Sequence, residues 1–318
     1  MTDVLEPPPS DMDQALLDLE DSTLGTHRSL RADVWRQFKR HKGAMLGLII
    51  LSIVILSAIL GPFLWSIDPF AVDVPGRNQG ASWDHPMGTD QVGRDVFARV
   101  LAGGRVSLAV GFLAMLVGLF IGTLVGVLAG FFRLIDGPLM RFTDLFLALP
   151  LLPLLLVVVI YFRDPLIDRF GQNTGIFMLI VLVIGATSWM QTARIVRSDV
   201  LAVKEEEFVL AARSIGTRPR RLITRHILPN VLSPVIVAAS LGVANAILTE
   251  SALSFLGLGF PEKFPTWGRL LYDGKEYLAI NASRVIWPGI MLSLTMMSVN
   301  FIGDGLRDAL DPKLRSKG

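Results

Sequence analysis

Six long apolar segments constrain the fold of this 318-residue chain more than any other feature. They contain no Asp, Glu, Lys or Arg, and they comprise residues 43–67, 106–132, 145–162, 174–193, 231–249 and 285–302. A helix of roughly 20 residues crosses a hydrocarbon layer about 30 Å thick, and the third and sixth segments are slightly short by this measure. The hydrophobic fraction of the chain, 52%, is too high for an ordinary soluble domain. The sequence therefore predicts an all-α integral membrane protein with six transmembrane helices.

The positive charges between the segments predict the orientation of the chain. If the N-terminus is cytoplasmic, the inner connections hold 20 of the 30 Lys and Arg residues and the outer connections hold 10. The inner connections are 28–42, 133–144, 194–229 and 303–318, and the outer ones are 68–105, 163–173 and 250–284. Positive charge resists translocation across a membrane. We therefore expect a multi-pass protein whose N- and C-termini are both cytoplasmic.

The region before the first apolar segment divides into two parts. Residues 1–27 carry seven acidic residues and no Lys or Arg, which predicts a disordered cytoplasmic tail; a partner-binding role is the alternative. Residues 28–42 predict an amphipathic helix in the headgroup region rather than a simple basic stop before the membrane. Its apolar face consists of Leu30, Val34, Trp35 and Phe38. The remainder, 43–318, is expected to form the transmembrane domain.

Four glycines in the second segment predict a close contact between helices. Gly118, Gly122, Gly126 and Gly130 are each four residues apart, so they lie on one stripe of a helix. The missing side chains on such a stripe let another helix approach closely. We expect this glycine stripe to be a packing surface, and a pore-lining role is the alternative.

Two segments are expected to bend or break. Pro150 and Pro153 interrupt the third segment and should kink it, because proline removes a hydrogen bond from the helix. The run 230–260 would extend about 46 Å as one helix, which exceeds the hydrocarbon thickness. The residues that can break it are Gly257, Gly259 and Pro261.

Glu250 follows the fifth segment directly, so we expect it near the outer mouth of the protein rather than at mid-membrane. Together with Ser251 and Ser254 it is a candidate group at a transport pathway or its mouth. A pairing or packing role for Glu250 is favoured over direct contact with a transported solute.

The chain lacks the residues of several functional classes. No charged residue lies in a predicted span, whereas secondary transporters and pumps usually carry one. The sequence contains no His-Glu-x-x-His metal pair, no Gly-x-Ser-x-Gly nucleophile and no Gly-x-x-x-x-Gly-Lys-Ser/Thr phosphate loop. Cysteine is absent and the four histidines are scattered. We therefore expect neither catalysis nor a metal or cofactor bound by this chain, and no nucleic-acid partner.

The longest predicted inner connection, 194–229, contains a pattern that predicts a short surface helix. Glutamates at 205–207 would open this helix, because negative charge suits a helix N-terminus. An apolar face follows at helical spacing, formed by Phe208, Ala211, Ala212 and Ile215. Gly216 suits the left-handed turn that ends a helix. Such a helix has little reason to exist unless another protein docks on it.

A second helix is expected after this turn, beginning near Pro219 and running toward the membrane border. The surrounding arginines are expected to hold the loop at the anionic inner surface of the membrane rather than to contact a nucleotide. They are Arg218, Arg220, Arg221 and Arg225.

One pattern in this connection resembles the cytoplasmic loop of ABC-importer permeases. It reads Ala211-Ala212-x-x-x-Gly216, followed by nine residues and a turn that ends at Leu228-Pro229. In that family the short helix inserts into a groove of the ATP-hydrolysing subunit. The resemblance implies a coupling role for Glu207, Phe208, Ala211, Ala212, Arg213, Ile215, Gly216 and Pro229. Two positions depart from the pattern: Leu210 replaces the usual glutamate and His226 replaces isoleucine.

Other segments resemble the C-type subunits of dipeptide and oligopeptide permeases, a family that also includes nickel systems. They are 85–95 with 104–108, 247–259 with Trp267-Gly268, and 303–312, which reads Gly-Asp-Gly-Leu-Arg-Asp-Ala-Leu-Asp-Pro. The resemblance covers roughly residues 30–315. It implies a type I, MetI-like permease bundle in the bacterial inner membrane.

The resemblance also implies partners and cargo. The partners would be a second, related permease in a heterodimer, two ABC ATPase subunits that hold ATP and Mg²⁺, and an extracytoplasmic solute-binding protein. The cargo would be di- or oligopeptides, while nickel chelates, glutathione or another small solute stay open. The rival classes are a stand-alone channel or secondary transporter and a membrane-anchored assembly protein. If this chain is an ABC-importer permease, ATPase subunits should accompany it in stoichiometric amounts when it is purified in mild detergent. Neither rival class predicts this.

Overall fold

The computed structural model describes residues 30–310, so the predicted acidic tail and residues 311–318 lie outside the described part. Within that part the chain is helical apart from connections, and its β-type pairing is a single bridge between Thr89 and Asp95. The helices are α1 (Leu30–Arg40), α2 (Lys42–Leu64), α3 (Val96–Phe131), α4 (Arg133–Ala148), α5 (Leu151–Phe170), α6 (Gln172–Val203), α7 (Glu207–Ser214), α8 (Pro219–Leu222), α9 (Leu228–Phe255), α10 (Trp267–Gly274) and α11 (Ser283–Leu310).

The number of membrane-spanning helices agrees with the predicted six-helix fold. Five stretches of the described chain are long and apolar enough to cross a membrane: α2, α3, α6, α11 and the stretch Pro219–Phe255, which contains α8 and α9. A sixth crossing is available if α4 and α5 act as one span, although the two helices are bent by 90° relative to each other. The fifth crossing ends at Phe255, close to the predicted break, and Gly257 follows with a φ of 82°.

The predicted third span, 145–162, is wrong in its bounds because the chain bends inside it. α4 ends at Ala148, and α5 begins at Leu151 with Pro150 as its N-cap. Leu149 has a ψ of 137°, the extended conformation that a residue before proline prefers. Pro153 causes no kink, because the first N–H groups of a helix have no partner within the helix. The bend therefore comes from Pro150 alone.

α3 and α6 form the centre of the bundle. They run in the same direction, since the start of the glycine stripe faces Ser188 and its end faces Val200. A Cβ at Gly122 would lie 2.6 Å from the carbonyl oxygen of Trp189, and one at Gly126 would lie 2.7 Å from that of Ala193. These distances are too short for any side chain, so the two backbones are in direct contact along three turns.

Both ends of the described chain lie at one end of the bundle. Ala309, in the last turn of α11, packs against Phe38 of α1 and Ala44 of α2, so α11 ends where α2 begins. α2 is antiparallel to α3, because Gly61 near the end of α2 contacts Leu101 near the start of α3. We call the end of the bundle where α3, α6 and α11 finish the coupling face, after the role that the resemblance implies for the connection 194–229, and we call the opposite end the distal face.

Candidate functional site

α7 is a two-turn helix on the coupling face, and its end is sharply defined. Glu207 places a negative charge in its first turn. The Gly216 N–H donates to the carbonyl of Arg213 at 3.0 Å, and the Thr217 N–H donates to that of Ala212 at 3.2 Å. This pair of bonds is a Schellman motif, and Gly216 adopts the required left-handed conformation with a φ of 77°. The helix end lies where the sequence places it.

One side of α7 is anchored to the ends of the two central helices. Val209 and Ala212 are 1% and 7% exposed and form this buried side. The side chains beneath them are Phe131, Val203 and Leu222. The prediction that Ala212 shares a surface with Phe208 and Ile215 is therefore wrong. Spacing alone did not reveal this, because Ala212 is at helical neighbour spacing to Phe208 and Ile215 as well as to Val209. The contacts with the central helices decide which of these side chains are buried.

The other side of α7 exposes large apolar side chains. Phe208 is 45% exposed, Leu210 is 41% exposed and Ile215 is 84% exposed. The remaining predicted residues of this surface, Glu207, Ala211, Arg213 and Gly216, are exposed as well. Exposed apolar side chains that are grouped and rimmed by charge are typical of a protein contact surface. We call this group the α7 surface.

The arginines predicted to face the membrane surface are also exposed. They are Arg218, Arg220, Arg221 and Arg225. They follow α7 directly in the chain, so positive charge lies beside the α7 surface. Such charge can attract either anionic lipid headgroups or acidic groups on a docked protein.

The chain returns from α7 to the membrane through a continuous helical stretch, and the turn predicted at Leu228-Pro229 is wrong. α8 is followed by the π-helical turn Ile223–Ile227, after which the Leu228 N–H donates to the carbonyl of Ile223, five residues earlier. Pro229 is exposed in the first turn of α9. Because proline has no N–H to donate, one backbone hydrogen bond of the continuous stretch is missing at this position.

Two charged contacts that the sequence analysis missed hold the central helices at the coupling face. Arg197 of α6 donates from Nε and from one terminal nitrogen to the carboxylate of Asp136 in α4, at 2.5 and 2.7 Å. The Nζ of Lys204 donates to the carbonyl of Gly130, in the last turn of α3, at 3.1 Å. The only signal in the sequence was that one inner connection contains aspartates and the next contains arginines and a lysine. These contacts stiffen the platform on which α7 lies.

Glu250 is fully buried, at 0% exposure. Ser254 Oγ donates to its Oε1 at 2.7 Å, and Ser107 Oγ of α3 donates to its Oε2 at 3.3 Å. Ser251 Oγ lies 3.4 Å from the same carboxyl group, and Ser107 in turn accepts the N–H of Trp267 at 3.1 Å. The hypothesis that Glu250, Ser251 and Ser254 line the pathway or its mouth is wrong for this structure. The packing role favoured for Glu250 fits the geometry, because the chain after α9 folds back over it.

A group of ion pairs at the distal face was also missed, and we call it the distal charged cluster. Asp90 Oδ2 accepts from Arg94 Nε at 2.6 Å and from Arg99 at 2.8 Å. Arg94 also donates to Glu262 at 2.6 Å, and Arg99 lies 3.4 Å from a carboxylate oxygen of Asp273. Glu262 and Asp273 are 168 and 174 residues away from their arginine partners in sequence. No local pattern could have paired them.

The two buried aspartates of this cluster have opposite pKa shifts. Burial would raise the pKa of Asp90, but hydrogen bonds from the Val92 N–H and from Arg94 outweigh it and lower the pKa. Burial raises the pKa of Asp273, and the positive charges of Arg269 and Arg99 only partly offset this. Hydrogen bonds therefore favour the charged form of Asp90, whereas burial disfavours the charged form of Asp273.

Two protein-family models match this chain. Residues 100–316 match the family described as binding-protein-dependent transport system inner membrane component. Residues 29–81 match the family described as the N-terminal TM domain of oligopeptide transport permease C. Together the two matches cover all six apolar segments of the sequence.

Named relatives align with nearly the whole chain. The dipeptide transport system permease protein DppC of Alkalihalophilus pseudofirmus is 41% identical over 89% of this chain and 90% of its own length. The oligopeptide transport system permease protein OppC of Haemophilus influenzae is 41% identical over 91% of this chain and 90% of its own. OppC of Bacillus subtilis is 38% identical over 90% of this chain and 91% of its own.

The fold is similar to that of a solved transporter. A crystal structure of the MetNI methionine ABC transporter in inward-facing conformations superimposes with a TM-score of 0.54. The match covers 67% of this chain and 96% of the other chain at 18% sequence identity, so it bears on the fold alone. It supports the predicted MetI-like bundle. With a family match over residues 100–316 and relatives of about 40% identity along the chain, this protein belongs to the family of binding-protein-dependent transport system inner membrane components.

Proposed function

We propose that this protein is a permease subunit of an ABC importer that moves dipeptides or oligopeptides into the cell. The names of relatives that are 41% and 38% identical support this class of cargo. The family description supports delivery of the cargo by an external solute-binding protein. A second, related permease would form the other half of the pathway. Two ABC ATPase subunits would hold ATP and Mg²⁺, and this chain would bind neither.

The observation that carries the coupling part of the proposal is the two-sided character of α7. Its exposed side, with Phe208 and Ile215, is available to an ATPase subunit, while its buried side rests on the ends of α3 and α6. A displacement of α7 would therefore be passed to both central helices, which are joined along the glycine stripe. Rigid-body rotation of such a unit is a common way of opening a binding site alternately to the two sides.

The same proposal includes the orientation of the protein in the bacterial inner membrane. The coupling face would be cytoplasmic, with both termini on that side. Two observations support this: the predicted inner connections hold 20 of 30 Lys and Arg residues, and both ends of the described chain lie on the same face as α7.

The coupling proposal can be tested with a substitution that places a charge on the α7 surface and leaves the packing of α7 intact. Ile215→Glu suits this purpose, because Ile215 is 84% exposed. We expect this variant to weaken ATPase binding by about thirtyfold, the effect of losing an interface residue worth about 2 kcal/mol. Co-purification of the ATPase subunits and ATP-dependent peptide uptake would measure the effect. Leu134→Glu is the matched control, since Leu134 is 90% exposed at the start of α4 on the coupling face.

The result for Ile215→Glu shows whether the ATPase subunits are coupled to this protein through α7 or through another element. If Ile215→Glu retains full ATPase binding and uptake while folding normally, α7 is not the coupling element. Ala212→Glu would be a poor test, because Ala212 is buried and a glutamate there would disrupt the anchoring of α7 whatever its role.

A further inference from the structure

Arg105 of α3 has an exposed guanidinium group that the proposed function does not use. Its Nε donates to the carbonyl of Ala58 at 2.8 Å, and one terminal nitrogen donates to the carbonyl of Ile59 at 2.5 Å. Pro62, inside α2, lacks the N–H that would otherwise bond to the carbonyl of Ala58 four residues earlier. The arginine supplies the missing donor. Because two of its N–H groups are fixed on α2, the orientation of the guanidinium plane is fixed as well.

An apolar groove begins at this arginine. It has a volume of about 450 Å³ and lies among α2, α3, α9 and α11. Its walls include Leu51, Ile55, Leu108, Phe112, Val243 and Val299, and Arg105 is the charged residue that borders it. The groove therefore combines a long apolar wall with a single positive charge at one end.

The depth of Arg105 matches the border of the hydrocarbon layer. It directly precedes the apolar segment 106–132, on the side of the distal face. Its guanidinium also lies over the ring of Phe63, 5.2 Å from the centroid, near the end of α2. Within residues 30–310, no carboxylate pairs with this guanidinium, and its second terminal nitrogen has no hydrogen-bond partner.

We propose that this groove binds an anionic phospholipid of the leaflet at the distal face. The phosphate would accept hydrogen bonds from the free edge of Arg105, and one acyl chain would lie along the groove. The planar guanidinium matches the geometry of phosphate oxygens, and basic residues between transmembrane helices attract anionic headgroups. An apolar helix of a partner subunit would fit less well, because it would leave the charge unpaired in a low-dielectric environment.

Native mass spectrometry of the complete transporter, exchanged from detergent into mixtures of phosphatidylglycerol and phosphatidylcholine, tests this proposal. We expect the wild-type complex to retain phosphatidylglycerol about fivefold more than phosphatidylcholine, the ratio set by one arginine at a membrane surface. Arg105→Gln, which keeps N–H donors for the carbonyls of α2 but removes the charge, should abolish the preference. Arg77→Gln is the matched control, because Arg77 is exposed on the same side of the bundle and does not border the groove.

A second variant separates lipid binding from a folding defect. Ile59→Trp leaves Arg105 in place and fills the groove from a half-exposed position on α2, so it should lower retention of phosphatidylglycerol without changing the melting temperature of the complex. The proposal is overturned if the wild type shows no preference, or if Arg105→Gln retains it. It is also overturned if Leu108→Cys, the only thiol in a chain without cysteine, is labelled with a maleimide photo-cross-linker and then cross-links to the second permease in high yield.

Discussion

Glu250 joins three parts of the protein through one carboxyl group. It accepts hydrogen bonds from Ser254 on its own helix and from Ser107 on α3, and Ser107 binds the backbone N–H of Trp267 at the start of α10. Each serine hydroxyl is thus fixed as a donor toward Glu250. The position of Glu250 at the end of an apolar segment could be read from the sequence, but its hydrogen-bond partners could not. Hydropathy identifies which residues enter the membrane, whereas the facing side chains depend on how the helices pack.

We predict that Glu250→Ala destabilises the protein by about 3 kcal/mol, because it leaves buried hydroxyl donors without an acceptor and opens a cavity. Denaturant unfolding of the purified subunit, followed by tryptophan fluorescence, would measure this loss. Asn245→Ala on the exposed side of the same helix should change the stability by less than about 0.5 kcal/mol. Equal stability of the two variants would contradict the central position assigned to Glu250.

The helices extend well beyond the apolar segments that revealed them. α3 begins at Val96, ten residues before the predicted span, and α6 continues to Val203, ten residues after the predicted end. An apolar segment reports only the length of chain inside the hydrocarbon layer, and a helix can continue into water where packing supports it. Here the extensions carry the anchoring residues at the coupling face and the charged residues at the distal face. The full lengths of these helices therefore depend on tertiary contacts and could not be read from the apolar segments.

At the scale of the helix pair, we predict that Gly126→Ala destabilises the contact between α3 and α6. The added methyl group would lie 2.7 Å from the carbonyl of Ala193, and the backbones must separate to accept it. A cost of about 1 to 3 kcal/mol is expected for such overpacking. Gly137→Ala is the matched control, since nothing lies within 4 Å of a Cβ at that position.

Thermal unfolding of the two glycine variants, together with peptide uptake at a fixed rate of ATP hydrolysis, would test this prediction. Gly137→Ala should retain or slightly raise the stability, because alanine favours a helix. If both variants behave alike, the close approach of α3 and α6 contributes nothing to stability.

The whole molecule has two faces with different kinds of order. The coupling face presents an exposed apolar helix on a stiff platform, and the distal face is closed by ion pairs between segments that are far apart in sequence. Arg94, before α3, and Arg99, in its first turn, pair with Glu262 and Asp273, which follow α9. Removing one member of a buried ion pair leaves the other charge uncompensated, which costs more than the intact pair contributes. The distal face should therefore unfold as a unit.

We predict that Asp90→Asn destabilises the protein by about 3 kcal/mol at neutral pH, because it leaves the buried Arg94 and Arg99 without their shared partner. The folded protein lowers the pKa of Asp90. The stability from this carboxylate is therefore present above its unfolded pKa of about 3.9 and is lost as the pH falls through the folded pKa. The difference in melting temperature between wild type and variant should be constant between about pH 5 and 7 and should shrink below about pH 4.

Asp273→Asn provides the opposite case. Its folded pKa is raised, so the corresponding stability is present below about 3.9 and is lost as the pH rises through the folded pKa. The melting-temperature difference for this variant should change above pH 4 rather than below it. A difference for Asp90→Asn that grows on acidification would contradict the ion-pair assignment.

The sequence by itself determined the class of the fold, the approximate positions of the membrane helices and the presence of a short helix that ends at Gly216. These properties follow from local chemistry: apolar length, proline and glycine conformation, and charge at a helix start. Only the tertiary structure decided that Ala212 is buried, that the bend predicted near Pro150 amounts to 90° and that Glu250 lies inside the bundle. Which side of a helix faces inward, and which distant charges meet, depends on contacts between segments that local patterns do not specify.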